Sequence, residues 1–129
     1  MLAIPPQVRV FLARRPVDMR KSFHALTALA ETVLAQDPMS GHLFMFVNRR
    51  GDRIKLLYWG RTGFCIWYQQ LEQGTYQLPE LAEGDTPAGI ELTSAQLSLI
   101  LEGIDLTSVR QRLRYQRPVR ESPLTAVPA

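Results

Sequence analysis

The stretch LFMFV-NRRGD-RIKLLYW, residues 43–59, decides the fold of this chain. Two apolar runs, 43–47 and 53–59, have the length and the aliphatic and aromatic content of β-strands. The five residues 48–52 between them are a hairpin loop, in which Gly51 allows the backbone conformation of a tight turn. The stretch therefore predicts a β-hairpin with a basic tip.

The segment before this hairpin predicts a strand and a helix. Within residues 8–13, the aliphatic residues Val8, Val10 and Leu12 occupy every second position. This alternation is typical of a short strand. Asp18 occupies the N-cap position of a helix whose apolar residues keep a helical period through about Ala35. Asp37-Pro38 ends this helix, because proline disfavours the helical conformation of the preceding residue.

The segment after the hairpin continues the sheet. A turn at 60–63 leads to a third strand at 64–70, and a further turn precedes a short strand at 75–78. Residues 79–90 contain two prolines and two glycines, so we predict a loop there.

A second, shorter helix follows that loop. Thr93 and Gln96 form a capping box at its start, and Gly103 ends it. Together the elements predict an α+β fold: a single small domain with an antiparallel β-meander of about four to five strands, one longer helix and a second short helix. We place this domain at residues 1–106, and predict an arginine-rich, partly disordered tail at 107–129.

The composition of the 129-residue chain, 46% hydrophobic and 21% charged, indicates one folded domain. No apolar run approaches the roughly 18 residues of a membrane span, and no signal peptide opens the chain, so we expect no membrane partner. The single cysteine, Cys65, excludes an internal disulfide framework. These features predict a cytoplasmic protein.

Charge is distributed unevenly along the chain. Residues 1–61 contain ten basic and four acidic residues, and residues 62–105 contain seven acidic and no basic ones. Residues 106–129 contain five arginines and one acid. Thirteen of the fifteen basic residues are arginine, whose planar fork of donors suits phosphates and base edges. A GC-rich coding sequence also favours arginine, so this bias alone does not decide between the two explanations.

Residue types that perform catalysis do not cluster in this sequence. His24 and His42 lie in different predicted elements and lack the spacing of metal ligands. Asp18, Asp37 and Asp52 fall at caps or turns, where aspartate has a structural role. We therefore predict a protein that is not an enzyme, with no catalytic residue, no metal and no cofactor.

Several motifs carry a resemblance to a known family. They are DMRKSF at 18–23, DPxSGxLFxF at 37–46 (x being any residue), NRRGDRIK at 48–55, LYW at 57–59, GF at 63–64, WY at 67–68 and LEGIDL at 101–106. Together they closely resemble the TnpB accessory proteins of the bacterial insertion-sequence family numbered sixty-six, from about residue 5 to residue 106. The resemblance implies a role in transposition, beside a larger transposase that carries the strand-transfer chemistry. One departure is the stretch 68–76, which lacks the four basic residues that relatives often have there.

The hairpin tip is the first candidate DNA-binding site. It contains Arg49, Arg50, Arg53 and Lys55, and strand alternation places Arg53 and Lys55 on one face. A two-stranded ribbon with a basic tip can enter a DNA groove or hold phosphates. The alternative is a solvated hairpin whose charges protect a sheet edge from aggregation.

The start of the first helix is the second candidate. Arg14, Arg15, Arg20 and Lys21 flank it, and the N–H groups of a helix N-terminus favour anions such as phosphate. The alternative is purely structural, because Asp18 as the N-cap would satisfy those N–H groups itself.

The tail is the third candidate. Arg110, Arg112, Arg114 and Arg117 form a basic arm suited to nucleic acid or to an acidic partner. The alternative is a tail that only solubilises the protein.

Aromatic residues concentrate in the second and third predicted strands of the meander. Tyr58, Trp59, Phe64, Trp67 and Tyr68 could stack bases, but a sheet covered by a helix also needs such side chains for its core. We expect core packing, with Trp59 or Trp67 as the more exposed member.

Two functions follow from these observations. The first is a non-catalytic accessory factor in transposition that binds DNA, either element ends or nonspecific duplex, through the arginine-rich surfaces. The second is an adaptor that binds the transposase or the other accessory protein without contacting DNA, through the acidic stretch 62–105. The sequence does not indicate an oligomeric state.

Overall fold

The hairpin at residues 43–59 forms the centre of the sheet in a computed structural model, which describes residues 4–79 and 88–103. Within those residues the chain has five strands and two helices, and this α+β architecture confirms the predicted fold class. In chain order they are β1 (Val10–Ala13), α1 (Phe23–Thr32), β2 (Leu43–Val47), β3 (Arg53–Trp59), β4 (Phe64–Gln70), β5 (Gly89–Leu92) and α2 (Ser94–Glu102).

The sheet has the order β4-β3-β2-β1-β5 and is mixed. The predicted antiparallel meander is present in β2, β3 and β4, with Val47 opposite Ile54 next to the hairpin loop. β1 instead pairs parallel to β2, with Val10 opposite Leu43, and antiparallel to β5. The parallel pair arises because α1 connects β1 to β2, and a crossover of this kind returns the chain in the same direction.

Helices cover both faces of this sheet. Phe44 and Phe46 of β2 pack on the side of Leu26 and Ala30 of α1. The alternate residue Met45 belongs to the opposite cluster, which includes Leu97 and Ile100 of α2. Every residue of β2 is therefore buried, as expected of a strand in the middle of a sheet that is covered on both sides.

The start of α1 lies later than the sequence predicts. Ser22 is the N-cap and Phe23 the first helical residue, so the prediction of Asp18 as N-cap is wrong. The Asp18 carboxylate instead accepts a hydrogen bond from the backbone N–H of Arg20, at 2.9 Å, and forms a turn before the helix. The helix ends at Thr32, three residues before the predicted end near Ala35, where the backbone is left-handed (φ 55°).

The segments between β4 and α2 also differ from prediction. Residues 75–78 form no strand; Tyr76 is buried in the cluster on the α2 face, and its N–H donates to the carbonyl of Gly51 at 2.8 Å. Gly89 and Ile90, predicted as loop, begin β5 and pair with β1. A four-residue strand with one glycine carries too little periodicity to be recognised without its partner strand.

The second helix agrees with its sequence signals. The backbone N–H of Gln96 donates to the Thr93 side chain at 3.0 Å, and the Gln96 side chain accepts from the Thr93 N–H at 2.8 Å. Gly103 closes the helix with a left-handed backbone (φ 80°). The predicted boundary at residue 106 and the tail 107–129 lie outside the described residues.

Candidate nucleic-acid interface

The parallel pairing of β1 and β2 brings two distant basic segments together. Parallel neighbours end at the same edge of a sheet, so the connection after β1 and the hairpin loop after β2 emerge side by side. A hydrogen bond of 2.9 Å from the N–H of Val17 to the carbonyl of Val47 joins them. Two of the candidate sites thus form one surface.

An open groove of about 610 Å³ lies between these segments. Its charged lining consists of Asp18, Arg20, Arg49, Arg50 and Arg53, and Tyr68 of β4 contributes an aromatic ring. We call this surface the basic groove. Four arginines and one aspartate line it, so the groove carries a net positive charge and attracts anions.

Asn48 orders the hairpin loop that carries two of the four arginines. Its side-chain oxygen accepts hydrogen bonds from the N–H groups of Asp52 and Arg53, each at 3.0 Å. Its side-chain nitrogen donates to the Asp52 carboxylate at 2.8 Å, and this bond is the main reason that the pKa of Asp52 is lowered. Gly51 supplies the left-handed residue that the loop needs (φ 78°). The loop therefore holds Arg49 and Arg50 on a defined backbone, and both residues are exposed.

Asp18 and Arg20 form an ion pair inside the groove. The shortest guanidinium–carboxylate distance is 2.7 Å. The hydrogen bonds from the Arg20 side chain, more than the charge itself, lower the pKa of Asp18 from 3.8 to about 2. Arg20 is therefore partly neutralised, whereas Arg49, Arg50 and Arg53 form no ion pair with a carboxylate of the described residues, although Asp52 attracts Arg50 and Arg53 over a longer distance.

Titration of the Asp18 carboxyl checks this ion pair. Its pKa should be about 2 in the folded protein and should rise towards 3.8 in Arg20→Gln, as read from carbonyl chemical shifts in an NMR pH series. Because the folded pKa is the lower one, the pair stabilises the fold above about pH 4, and that contribution disappears as the pH falls through about 2. An ordinary pKa in the wild type would show that the pair does not persist in solution.

Lys55 does not lie with these arginines at the surface. Only 7% of the residue is exposed, and its ammonium donates to the carbonyls of Met19 and Lys21 at 2.7 and 2.8 Å. These carbonyls precede α1, so no helical N–H is available to them. The predicted role of Lys55 in binding DNA therefore needs correction: its ammonium is already used to attach the β1–α1 connection to the sheet.

The other predicted DNA-binding residues lie either outside the groove or outside the described residues. Arg14, Arg15 and Lys21 are exposed on the β1–α1 connection but do not line the groove. The tail candidates lie outside the described residues: Arg110, Arg112, Arg114 and Arg117.

Tyr68 is the residue of this surface that the sequence assigned to core packing and the structure exposes. Trp59 and Trp67, expected to be the more exposed aromatics, are half-buried, whereas 49% of Tyr68 is exposed. Trp59 packs edge-on against Phe64, with ring centroids 4.9 Å apart. The signal that could have identified Tyr68 was the hairpin register, which places it opposite Lys55 and beside Arg53.

The opposite end of β1 holds a second ion pair. Arg9 binds Glu91 of β5 through two hydrogen bonds of 2.7 Å and lies over the ring of Phe11. Among residues 4–79 and 88–103, no three His, Cys, Asp or Glu side chains are grouped as metal ligands would be. The two helices in these residues have 10 and 9 residues and are too short to cross a membrane.

Comparison with known proteins places this architecture in a family. The pattern of the IS66 Orf2 like proteins matches residues 8–111. Two uncharacterised proteins of Sinorhizobium fredii, y4jC and y4hO, are 30% and 36% identical to the chain over 113 and 105 residues. The alignments cover 88% and 81% of this chain, and 92% and 88% of those relatives. No solved structure matches it significantly. The chain therefore belongs to the IS66 Orf2-like family, the accessory proteins of that insertion sequence.

Proposed function

We propose that this accessory protein is non-catalytic and binds DNA through the basic groove. The observation that carries the proposal is the convergence of Arg20, Arg49, Arg50 and Arg53 on one open surface. These residues come from two segments about 30 positions apart in sequence, and the parallel β1–β2 pair brings them together. Guanidinium groups pair with phosphate oxygens through two parallel hydrogen bonds, which suits this surface to a nucleic-acid backbone.

The geometry of the hairpin loop supports a phosphate site. Because Asn48 and Gly51 already order the backbone, binding has to immobilise the arginine side chains but not the loop itself. Arg14, Arg15 and Lys21 on the adjoining connection extend the positive charge beyond the groove. The partners in this proposal are DNA, as element ends or nonspecific duplex, together with the transposase and the other accessory protein.

The adaptor hypothesis gains no support from the described residues. Four of the seven acidic residues at 62–105 lie outside them, and Glu91 is bound to Arg9. We therefore keep the adaptor as the outcome that applies if DNA binding fails.

Double substitution of Arg49 and Arg50 by alanine tests the proposal. We expect binding of a labelled duplex at about 50 mM salt to weaken at least about tenfold, because two phosphate contacts are lost. The slope of log affinity against log salt should fall by about 2, at about 0.9 for each lost contact. Fluorescence anisotropy at about 50 and 200 mM salt measures both, with the terminal repeat of the element and a scrambled duplex as ligands.

Arg61→Gly is the matched control for that experiment. Arg61 is exposed in the turn at the far end of β3, and its left-handed backbone (φ 77°) accepts glycine without strain. It should leave affinity within about twofold. An equal loss in the control would contradict a specific role for the groove. If the wild type does not bind at low salt, the DNA proposal is wrong, and the transposase becomes the partner to test.

A further inference from the structure

Tyr68 gives the basic groove a feature that binding to a duplex backbone does not require. Its ring lines a groove whose other walls are mainly charged, and half of the residue is exposed. The Lys55 ammonium lies 4.8 Å from the ring centroid, and the Tyr68 hydroxyl is 3.5 Å from Arg53 Nη1. The ring is therefore held on one side by a buried cation and at its tip by an arginine.

Tyr68 is accessible from the groove, which it lines with about half of the residue exposed. β4 lies at the end of the sheet order, and among the described residues it pairs only with β3. Lys55 is directly opposite Tyr68 on β3, and its ammonium lies over the Tyr68 ring. The groove volume of about 610 Å³ lies within the range of roughly 300–1,000 Å³ found for small-ligand sites.

We propose that the basic groove holds an unpaired nucleotide of a DNA strand, with its base stacked on Tyr68 and its flanking phosphates on Arg49, Arg50 and Arg53. This inference rests on the proposed function and specifies its ligand. In a duplex the faces of internal bases are hidden inside the stack, so an aromatic side chain can stack on such a base only after the base has left the helix. Stacking on an aromatic side chain is tolerant of sequence and adds to phosphate attraction.

Two contacts orient the ring before a base binds. The Lys55 ammonium lies over the ring and Arg53 lies 3.5 Å from its hydroxyl, so stacking costs less side-chain entropy than it would for a ring without contacts. The buried ammonium cannot itself reach a phosphate, because its hydrogen bonds go to the carbonyls of Met19 and Lys21. Lys55 is thus a positioning residue for Tyr68.

The experiment compares three labelled ligands of equal phosphate number: a single strand of thymidines, the same strand made abasic, and a blunt duplex. We expect the full-length wild type to bind the thymidine strand about tenfold more tightly than the abasic strand. Tyr68→Leu should abolish this difference without weakening binding to the abasic strand. Tyr68→Phe keeps the aromatic face and should retain most of the difference. The tryptophan emission of each variant reports whether it is folded.

The outcomes separate this inference from the proposed function. Suppose that the wild type binds the duplex, that the Arg49/Arg50 double variant does not, and that the wild type binds the thymidine and abasic strands equally well. The stacking inference is then wrong, and the DNA-binding proposal stands. Equal weakening of all three ligands by Tyr68→Leu also overturns the inference, because a role in stacking predicts a loss confined to exposed bases. If the double variant leaves all binding unchanged, both proposals fall.

Discussion

Lys55→Met should lower the free energy of unfolding by about 3 kcal/mol, because it removes two hydrogen bonds from a charged donor. The ammonium donates to the Met19 and Lys21 carbonyls at 2.7 and 2.8 Å, and only 7% of the residue is exposed. Methionine fills much of the same volume, so the loss reports the hydrogen bonds more than packing. The two carbonyls would be left with no replacement from α1, which begins at Phe23.

Urea denaturation followed by tryptophan emission measures this loss. Lys21→Met is the matched control, since it also removes one positive charge, but from an exposed side chain on the connection that Lys55 contacts. It should change the free energy of unfolding by less than about 0.5 kcal/mol. Equal effects of the two substitutions would show that net charge, and not the buried contacts of Lys55, stabilises the connection.

Asn48→Ala should lower the free energy of unfolding by about 2 kcal/mol, since the Asn48 side chain makes three hydrogen bonds in the hairpin loop. Alanine leaves the N–H groups of Asp52 and Arg53 without an acceptor at a partly buried position. Hydrogen exchange at these two amides should accelerate far more than exchange in the centre of β3, because the loop opens locally.

Asp52→Asn is the control that removes the carboxylate charge from this loop but keeps the shape of the side chain. The new amide can still accept the hydrogen bond from Asn48 through its oxygen, so we expect a loss below about 1 kcal/mol. Asn48 does not order the loop if Asn48→Ala lowers the free energy of unfolding no more than Asp52→Asn does. The same conclusion follows if hydrogen exchange at the amides of Asp52 and Arg53 stays slow in Asn48→Ala. Loss of DNA affinity in Asn48→Ala with Arg49 and Arg50 intact would further connect loop order to the basic groove.

Local features of the sequence predicted much of the secondary structure. The 43–59 hairpin, the left-handed glycine in its loop and the capping box of α2 all agree with the structure. Each of these depends on residues within a few positions of one another, so the chain encodes them without reference to distant segments. One error fell where a local signal had two explanations: the Asp18 side chain can equally cap a helix or form a turn.

The composition of the candidate surface was also visible in the sequence, because charge is a property of the residues themselves. Arg49, Arg50 and Arg53 were identified as a basic hairpin tip, and Arg20 as part of a separate cluster. Lys55 could not be distinguished from them, since strand alternation places it on the same face as Arg53. Its burial depends on Met19 and Lys21, more than 30 residues away, whose carbonyls lack helical partners.

By itself, then, the sequence determined an α+β domain with a basic hairpin and two helices, and its motifs indicated the family. These features depend on periodicity, caps and motifs whose residues are close together in the chain. Only the tertiary structure decided that β1 runs parallel to β2, that Lys55 is buried while Tyr68 is exposed, and that Arg20 lines one groove with the hairpin arginines. These properties depend on which distant strands become neighbours, and that choice is made by burying both faces of the sheet at once beneath α1 and α2.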